Sequence, residues 1–538
     1  MMASWDFDTD FCVVGAGSAG SVVASRLAED DTSVLLLEAG PKDSNPLVHI
    51  PAGYFYLLKD QRYNWMYATE REPRTMDREI TWPAGRGLGG SSSINGILFA
   101  RGQSAEYDWM AEELGCTGWD YSSLLPYFRK AETFQGAPSP HRGSSGPVSV
   151  SPFRTVHPLA RDFVKAAKEA GFSEVPDMNA ANREGASLFQ QNRRGRFRDS
   201  TASAYLRPAI RKGRRLRVET DAVCSRIVFS GKKVEGVEYS KNGKLVRVRI
   251  RRELVVSCGT LRSPHLLQLS GVGDPDHLQR IGVSVVHASP NVGMNLKDQF
   301  LVRISHRTKG VLTINEMNNF LSIAMESVKY IGLNRGLLTL GASMAALYCK
   351  SSVDARFADL MIMFAPVSFS STVPGVLERE GGMTTGVLLT CPDSTGSVLA
   401  KSADPMERPA ITPNYLSAAS DWARMLVGIR TARKIFEMDS LKRWSVGETR
   451  PGRDIETDEA LYDFARRFGS TAAHYAGTCR IGVDDSSVTD TSLRVQGVSG
   501  LRIVDNSLLP SPISGGMNAT AIAVAERAAD LIKGRLQL

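Results

Sequence analysis

The stretch from Phe11 to Gly40, FCVVGAGSAGSVVASRLAEDDTSVLLLEAG, limits the fold more than any other. An apolar strand runs into Gly15-Ala16-Gly17-Ser18-Ala19-Gly20. A helix of small residues follows, and a second apolar strand ends in Glu38. Gly15 permits the tight turn, Gly17 lets the backbone approach a pyrophosphate, and Gly20 lets the helix lie against the strand. The helix N-terminus offers free N–H groups and a positive dipole end to phosphates. Glu38 stands where a carboxylate accepts hydrogen bonds from an adenosine ribose and repels a 2′-phosphate, which disfavours NADP. Strand, glycine turn, helix, strand and acid in this order predict a Rossmann-like dinucleotide site. NAD and FAD remain equally compatible with it.

The chain has 538 residues, too many for one ordinary core, so a second domain or large insertions are expected. A second strand-like piece, RELVVSCGTL, lies near the middle, and a third, LRIVDNSLLP, near the end. The latter precedes NATAIAVAERAADLIKGRL, whose apolar residues Ile522, Ala525, Ala529 and Ile532 have helical spacing. Three separated α/β pieces predict one nucleotide-binding domain built from distant segments, with insertions forming the other domain. The Gly-, Pro- and Ser-rich stretch Phe134 to Pro152 reads as a loop that connects domains or covers a site. Leu337 to Tyr348 is too short to span a bilayer and reads as a buried helix.

Charge and cysteine usage narrow the function classes. The net charge is +8, with arginines clustered in RRGRFR (193–198), RKGRRLR (211–217) and RVRIRR (247–252). These runs read as solvated strand faces rather than a nucleic-acid surface, because KVEGVEYSKNGKLVRVRI alternates apolar and polar residues around Asn242-Gly243, a hairpin signal. The seven cysteines are odd in number, far apart and without a C-x-x-C pair. No disulfide framework and no metal site are expected, and a reducing compartment, the cytoplasm, is. The N-terminus shows no secretory pattern.

Two further glycine-rich runs carry more information. GRGLGGSSSINGILFARG spans Gly85 to Gly102, and GTLRSPHLLQLSGVG spans Gly259 to Gly273, leaving a strand and entering a helix. With the opening stretch, they resemble the two signatures of the glucose–methanol–choline (GMC) flavoprotein oxidoreductases. STGSVLAKSADPMERPAITPNYL, AAHYAGTCRIG and LRIVDNSLLPSPISGGMNATAIAVAERAAD are similar to that family's C-terminal segments, in the same order. The resemblance covers nearly the whole chain and implies FAD. It also implies an α/β fold: a Rossmann-like FAD-binding domain from residues 1–155, 195–300 and 460–538, and an α+β substrate-binding domain with an antiparallel sheet from 156–194 and 301–459.

By this resemblance Gly15, Gly17, Ser18, Gly20 and Glu38 hold the ADP half of FAD. Arg86, Gly90, Asn95 and Gly96 lie beside the flavin ring and pyrophosphate, and the Val223 backbone meets the adenine. Asp505 and the segment from Asn518 make the closing flavin contacts, and Trp65 stands near the cofactor. Relatives that attach FAD covalently use a histidine just before the asparagine; Ile94 occupies that place, so non-covalent FAD is implied. The catalytic pair is His474, in an H-x-x-G-T motif, and Asn518, 44 residues later. Tyr475 replaces a common proline, and Met363 stands where relatives often carry histidine, which implies a more apolar pocket.

The implied reaction is oxidation of a primary alcohol, aliphatic or aromatic, to the aldehyde. His474 takes the hydroxyl proton, Asn518 donates to the oxygen, and flavin N5 receives the hydride. The branch implied is that of bacterial alcohol and choline dehydrogenases. Choline itself is disfavoured, since no set of aromatic and acidic residues suited to a quaternary ammonium is visible. The alternative is a non-oxidative enzyme on the same fold, a fatty-acid photodecarboxylase or hydroxynitrile lyase. His474 argues against the former. The electron acceptor is oxygen or a quinone. No nucleic acid and no transmembrane segment are expected, and peripheral membrane contact is left open.

Overall fold

The computed structural model describes residues 4–370 and 376–536. The outermost residues of the expected FAD-binding segments (1–3 and 537–538), and residues 371–375 of the expected insertion, lie outside these. Phe7–Val14 is strand β1, Ser18–Leu27 helix α1 and Val34–Leu37 strand β2. The two strands pair in parallel from Phe11 opposite Val34 to Val14 opposite Leu37. Both are covered on each face, which is why they read as unbroken apolar runs. Distant pieces then complete the sheet. Leu216–Glu219 joins β2 in parallel, Lys244–Val256 joins β1, and Leu501–Ile503 adds beyond it.

The hairpin expected at Asn242-Gly243 is present, with Lys241 opposite Lys244. Both turn residues have positive φ, 52° and 75°, as a type I′ turn requires. Val248 and Ile250 are buried while Arg249 and Arg251 are exposed, so that arginine run does line a solvated face. The first run departs from the expectation: Arg193 and Arg198 are each only 2% exposed. Arg193 lies in the strand Gln190–Arg194, and Arg198 pairs back opposite it; that strand is buried among other segments rather than at a surface.

Helix α1 packs between this sheet and the C-terminal helix Met517–Ile532. One is rich in serine, glycine and alanine, the other in alanine, so little side-chain bulk separates their backbones. Arg26 Nε and Nη2 donate to the two Glu526 oxygens at 2.8 and 2.7 Å, tying the first helix to the last. Burial contributes most of the stability of such an assembly, and a second apolar core lies under a separate sheet.

That sheet is antiparallel, in the order Ser445–Arg450, Phe300–Thr308, Gly382–Leu389, Leu360–Ala365, Ala345–Cys349, Gly185–Leu188. Helices Pro158–Glu169 and Ala419–Phe436 pack on it. Ser470–Thr471 pairs with the start of Phe300–Thr308 and so leads the chain toward His474. Two expectations are corrected here. Leu337 to Tyr348 is not a helix: a short 3-10 turn, Leu337–Thr339, is followed by a strand, Ala345–Cys349, between two partners. A strand buried on both faces loses its alternation and resembles a buried helix in sequence. The stretch from Phe134 to Pro152 is neither a connector nor a cover. Its ends belong to paired strands, Glu132–Phe134 and Val148–Pro152, and none of it reaches the cavity described next. The seven cysteines are free. Among the described residues no helix is long and apolar enough to cross a membrane, and no group of three or more His, Cys, Asp or Glu side chains is arranged for a metal ion.

Candidate active site

One cavity of about 1290 Å³ runs between the two sheets. Single small-molecule sites measure roughly 300–1,000 Å³, so this one has room for a dinucleotide and a further ligand. All the residues singled out from the sequence line it except Gly20 and Arg86. Gly20 stands behind the wall, where an added Cβ would lie 1.9 Å from the Gly15 carbonyl oxygen. Arg86 lies over Trp65, its guanidinium carbon 5.0 Å from the ring centroid, and Arg262 lies 4.9 Å from the same ring.

The glycine loop leaves a cradle. Gly15 has φ +99°, and a Cβ there would meet the Ser257 carbonyl oxygen at 2.4 Å, whereas a Cβ on Gly17 would enter open space. That space lies at the N-terminus of α1, where backbone N–H groups are unpaired within the helix. It fits a pyrophosphate. The Glu38 carboxylate accepts from three backbone N–H groups, those of Ala16, Gly40 and Gly87, at 2.8–2.9 Å. Burial raises its pKa against these bonds. A carboxylate has about four lone-pair sites, so Glu38 pins the loop and still has capacity for a ribose hydroxyl. Val223 begins the neighbouring wall, where the Ala222 N–H donates to the Glu38 carbonyl.

The segment from Gly85 closes over this loop. A Cβ on Gly90 would come within 2.7 Å of Gly17 Cα, and one on Gly96 within 2.6 Å of Ala342 Cβ. Asn95 Oδ1 accepts from the Ile97 N–H at 3.0 Å and from Arg198 Nη1 at 2.6 Å. Arg198 also donates to the Ser92 and Pro51 carbonyls. Burial pushes its pKa down to about 9. Its role had no signal in the sequence beyond an arginine run that reads as surface. Asp505 accepts from Gly259 N–H, Ser263 Oγ and Ser507 N–H at 2.6–2.8 Å, joining the second signature to the closing segment. Ile94, buried beside Val48, Leu57 and Tyr63, offers no nucleophilic atom.

His474 and Asn518 face the same cavity. The His474 N–H donates to Asp298 Oδ1 at 3.0 Å, and Nδ1 lies 2.7 Å from Gln299 Oε1. Gln299 spends its Nε2 on the carbonyls of Thr390 and Ile513, at 2.8 and 3.1 Å. Its oxygen must therefore face the histidine. An amide oxygen carries no proton, so Nδ1 holds the hydrogen and Nε2 keeps its lone pair. Burial lowers the His474 pKa to about 4 and raises that of Asp298 to about 6. Tyr415 Oη donates to the other Asp298 oxygen. Tyr475, which replaces the proline common in similar sequences, stacks on Trp82 with centroids 4.1 Å apart. On the helix side, Ser18 Oγ donates to Asn518 Oδ1 at 2.7 Å, leaving Nδ2 as a donor. The arrangement offers one proton acceptor and one hydrogen-bond donor beside the cradle. Asp298 and Gln299 escaped the sequence reading, since an acid and an amide before an apolar run form no recognised motif.

Models of the GMC oxidoreductase family match residues 9–301 and 392–525. The oxygen-dependent choline dehydrogenase of Chromohalobacter salexigens is 37% identical over 533 residues, 98% of this chain and 95% of that protein. The mitochondrial choline dehydrogenase of Mus musculus is 37% identical over 97% of this chain and 89% of its own length. The crystal structure of a pyridoxine 4-oxidase from Mesorbium loti matches with a TM-score of 0.89 at 27% identity, over 98% of this chain and all of that one.

Proposed function

The chain belongs to the GMC oxidoreductase family, as an FAD-dependent enzyme acting on alcohols, and from that premise we propose that it oxidises a primary alcohol, aliphatic or aromatic, to the aldehyde, with His474 as base. The observation that carries the reading is the Gln299 contact, which leaves His474 Nε2 unprotonated and in the cavity. FAD supplies a two-electron acceptor that takes a hydride at N5. Nε2 takes the hydroxyl proton, and a positioned base of this kind is worth roughly 10²–10⁴-fold. Asn518 Nδ2, oriented by Ser18, donates to the oxygen as charge develops there. The Asp298 carboxylate holds the backbone under the imidazole. The electron acceptor we propose is oxygen or a quinone, and the compartment the cytoplasm, on the grounds of seven unpaired cysteines.

Anaerobic reduction of the bound flavin by a panel of alcohols tests this. His474→Ala retains FAD and slows reduction by at least about 10²-fold, the low end for a general base. Near-normal reduction in that variant removes His474 from the role.

A further inference from the structure

We propose that the alcohol accepted by this site also carries a carboxylate, bound by Arg303 and Arg450 beneath the antiparallel sheet. This deepens the alcohol-oxidising reading and rests on it.

Both arginines line the cavity. Arg303 Nη1 donates to Ser470 Oγ at 2.8 Å, and Arg450 Nη2 lies 3.5 Å from the Phe369 carbonyl oxygen. Among the described residues no carboxylate lies within ion-pair distance of either, although the chain's other arginines form many such pairs. The undescribed residues 371–375 are Ser, Thr, Val, Pro and Gly, so none of them supplies an acid. Glu378, the acid whose charge acts on Arg450, accepts from Ser368 Oγ at 2.7 Å and stands 3.7 Å from Arg307. Burial, and then the charge of Arg450, push the Arg303 pKa down to about 10, with no acid to offset them. Arg303, with a like charge beside it and no acid paired to it, is unfavourable as it stands, and a ligand anion between the two guanidinium groups relieves this.

The strands shape a place for it. Arg303 stands opposite Gly386, and Gly386 opposite Met363. Gly386 lines the cavity at this point, and with no side chain of its own it leaves room for Leu301 to lie over it. A Cβ on Gly386 would come within 2.8 Å of Leu301 Cδ1. Leu301, Met361, Met363 and Phe468 add apolar surface to the wall, beside the polar Thr384 and Ser470. An apolar chain or ring ending in a carboxylate matches this wall, and the planar carboxylate matches the guanidinium fork. Arg303 lies four positions beyond Gln299, about 13 Å along an extended chain at roughly 3.3 Å per residue. The carbinol at His474 and the acid at Arg303 therefore belong to opposite ends of one molecule. A trimethylammonium alcohol would meet two like charges there.

The test uses the holoenzyme with para-hydroxymethylbenzoate and its methyl ester, and with ω-hydroxyhexanoate, ω-hydroxydecanoate and their methyl esters. Anaerobic flavin reduction gives kcat/KM for each, and calorimetry gives the affinity of para-methylbenzoate, which has no carbinol. We expect at least one acid to exceed its ester by about tenfold or more, and Arg303→Met to lower that ratio by about tenfold, because an unpaired polar site discriminates strongly. Arg303→Lys restores part of the ratio, and Arg450→Met lowers it independently, so that misfolding of one variant does not decide the outcome. Esters equal to or better than every acid, or a ratio unchanged in Arg303→Met, overturn the proposal. Arginine-dependent binding of para-methylbenzoate without flavin reduction by any alcohol upholds the anion site and overturns the alcohol reading instead.

Discussion

His474 shows how one contact sets the chemistry of a residue. Burial holds its imidazole near pKa 4, below the ordinary value of about 6.5. As the proposed base, His474 would therefore be ready over a wider range than an exposed histidine, and the expected acid limb of kcat/KM falls toward pH 4 rather than near 6.5. Asn518 does not titrate, so this pair contributes one ionisation. The sign carries through to stability. A histidine whose folded pKa is depressed contributes stability above about pH 6.5 that is lost as the pH falls toward 4. Gln299 controls the proton on Nδ1. Gln299→Glu places a negative charge there, which raises the His474 pKa and moves the acid limb upward. Gln299→Leu removes the acceptor and lowers the rate of flavin reduction without that shift. An acid limb in Gln299→Glu that coincides with the original would show that the Nδ1 contact does not govern the base.

At the scale of elements, the cradle depends on two glycine-rich segments meeting backbone to backbone. Gly90 has φ +51°, and an added Cβ would sit 2.7 Å from Gly17 Cα. Neither backbone can yield without moving the loop that fits the pyrophosphate. Gly90→Ala thus combines left-handed strain, about 1–3 kcal/mol for such conformers, with a clash. The expected result is protein with a low flavin-to-protein absorbance ratio and a lowered melting temperature. Gly231 is the control: its φ is +57°, but a Cβ there meets nothing within 4 Å. Gly231→Ala keeps its FAD. Equal flavin content in the two variants would mean that the contact between the segments is dispensable.

For the whole molecule, cofactor retention has to come from many weak sources. Ile94 lies in an apolar cluster and cannot form a bond to flavin. On the proposed reading, the α1 N-terminus, the Glu38 carboxylate and the segment held by Arg198 would supply the contacts instead. We expect yellow protein whose flavin passes into the supernatant after acid precipitation. Flavin colour kept in the pellet would reveal a covalent link to another residue. Glu38→Ala weakens retention, and the structure adds a reason beyond the ribose: three backbone N–H groups lose their acceptor.

What was legible in the sequence is what short-range rules govern. The glycine order of residues 15 to 20, the Asn242-Gly243 hairpin and the H-x-x-G-T motif around His474 all depend on neighbours a few residues away. The structure alone decided what depends on distant partners. Ser18 meets Asn518 across 500 positions. Gln299 finds His474 because Ser470–Thr471 pairs with the strand that follows Gln299. Arg193 and Arg198 look like surface charges until other segments cover them, and Ala345–Cys349 becomes a strand because two partners flank it. Periodicity reports which face of an element is wet. It carries no information about what covers the dry face, and the charge on Arg303 and the tautomer of His474 are settled there.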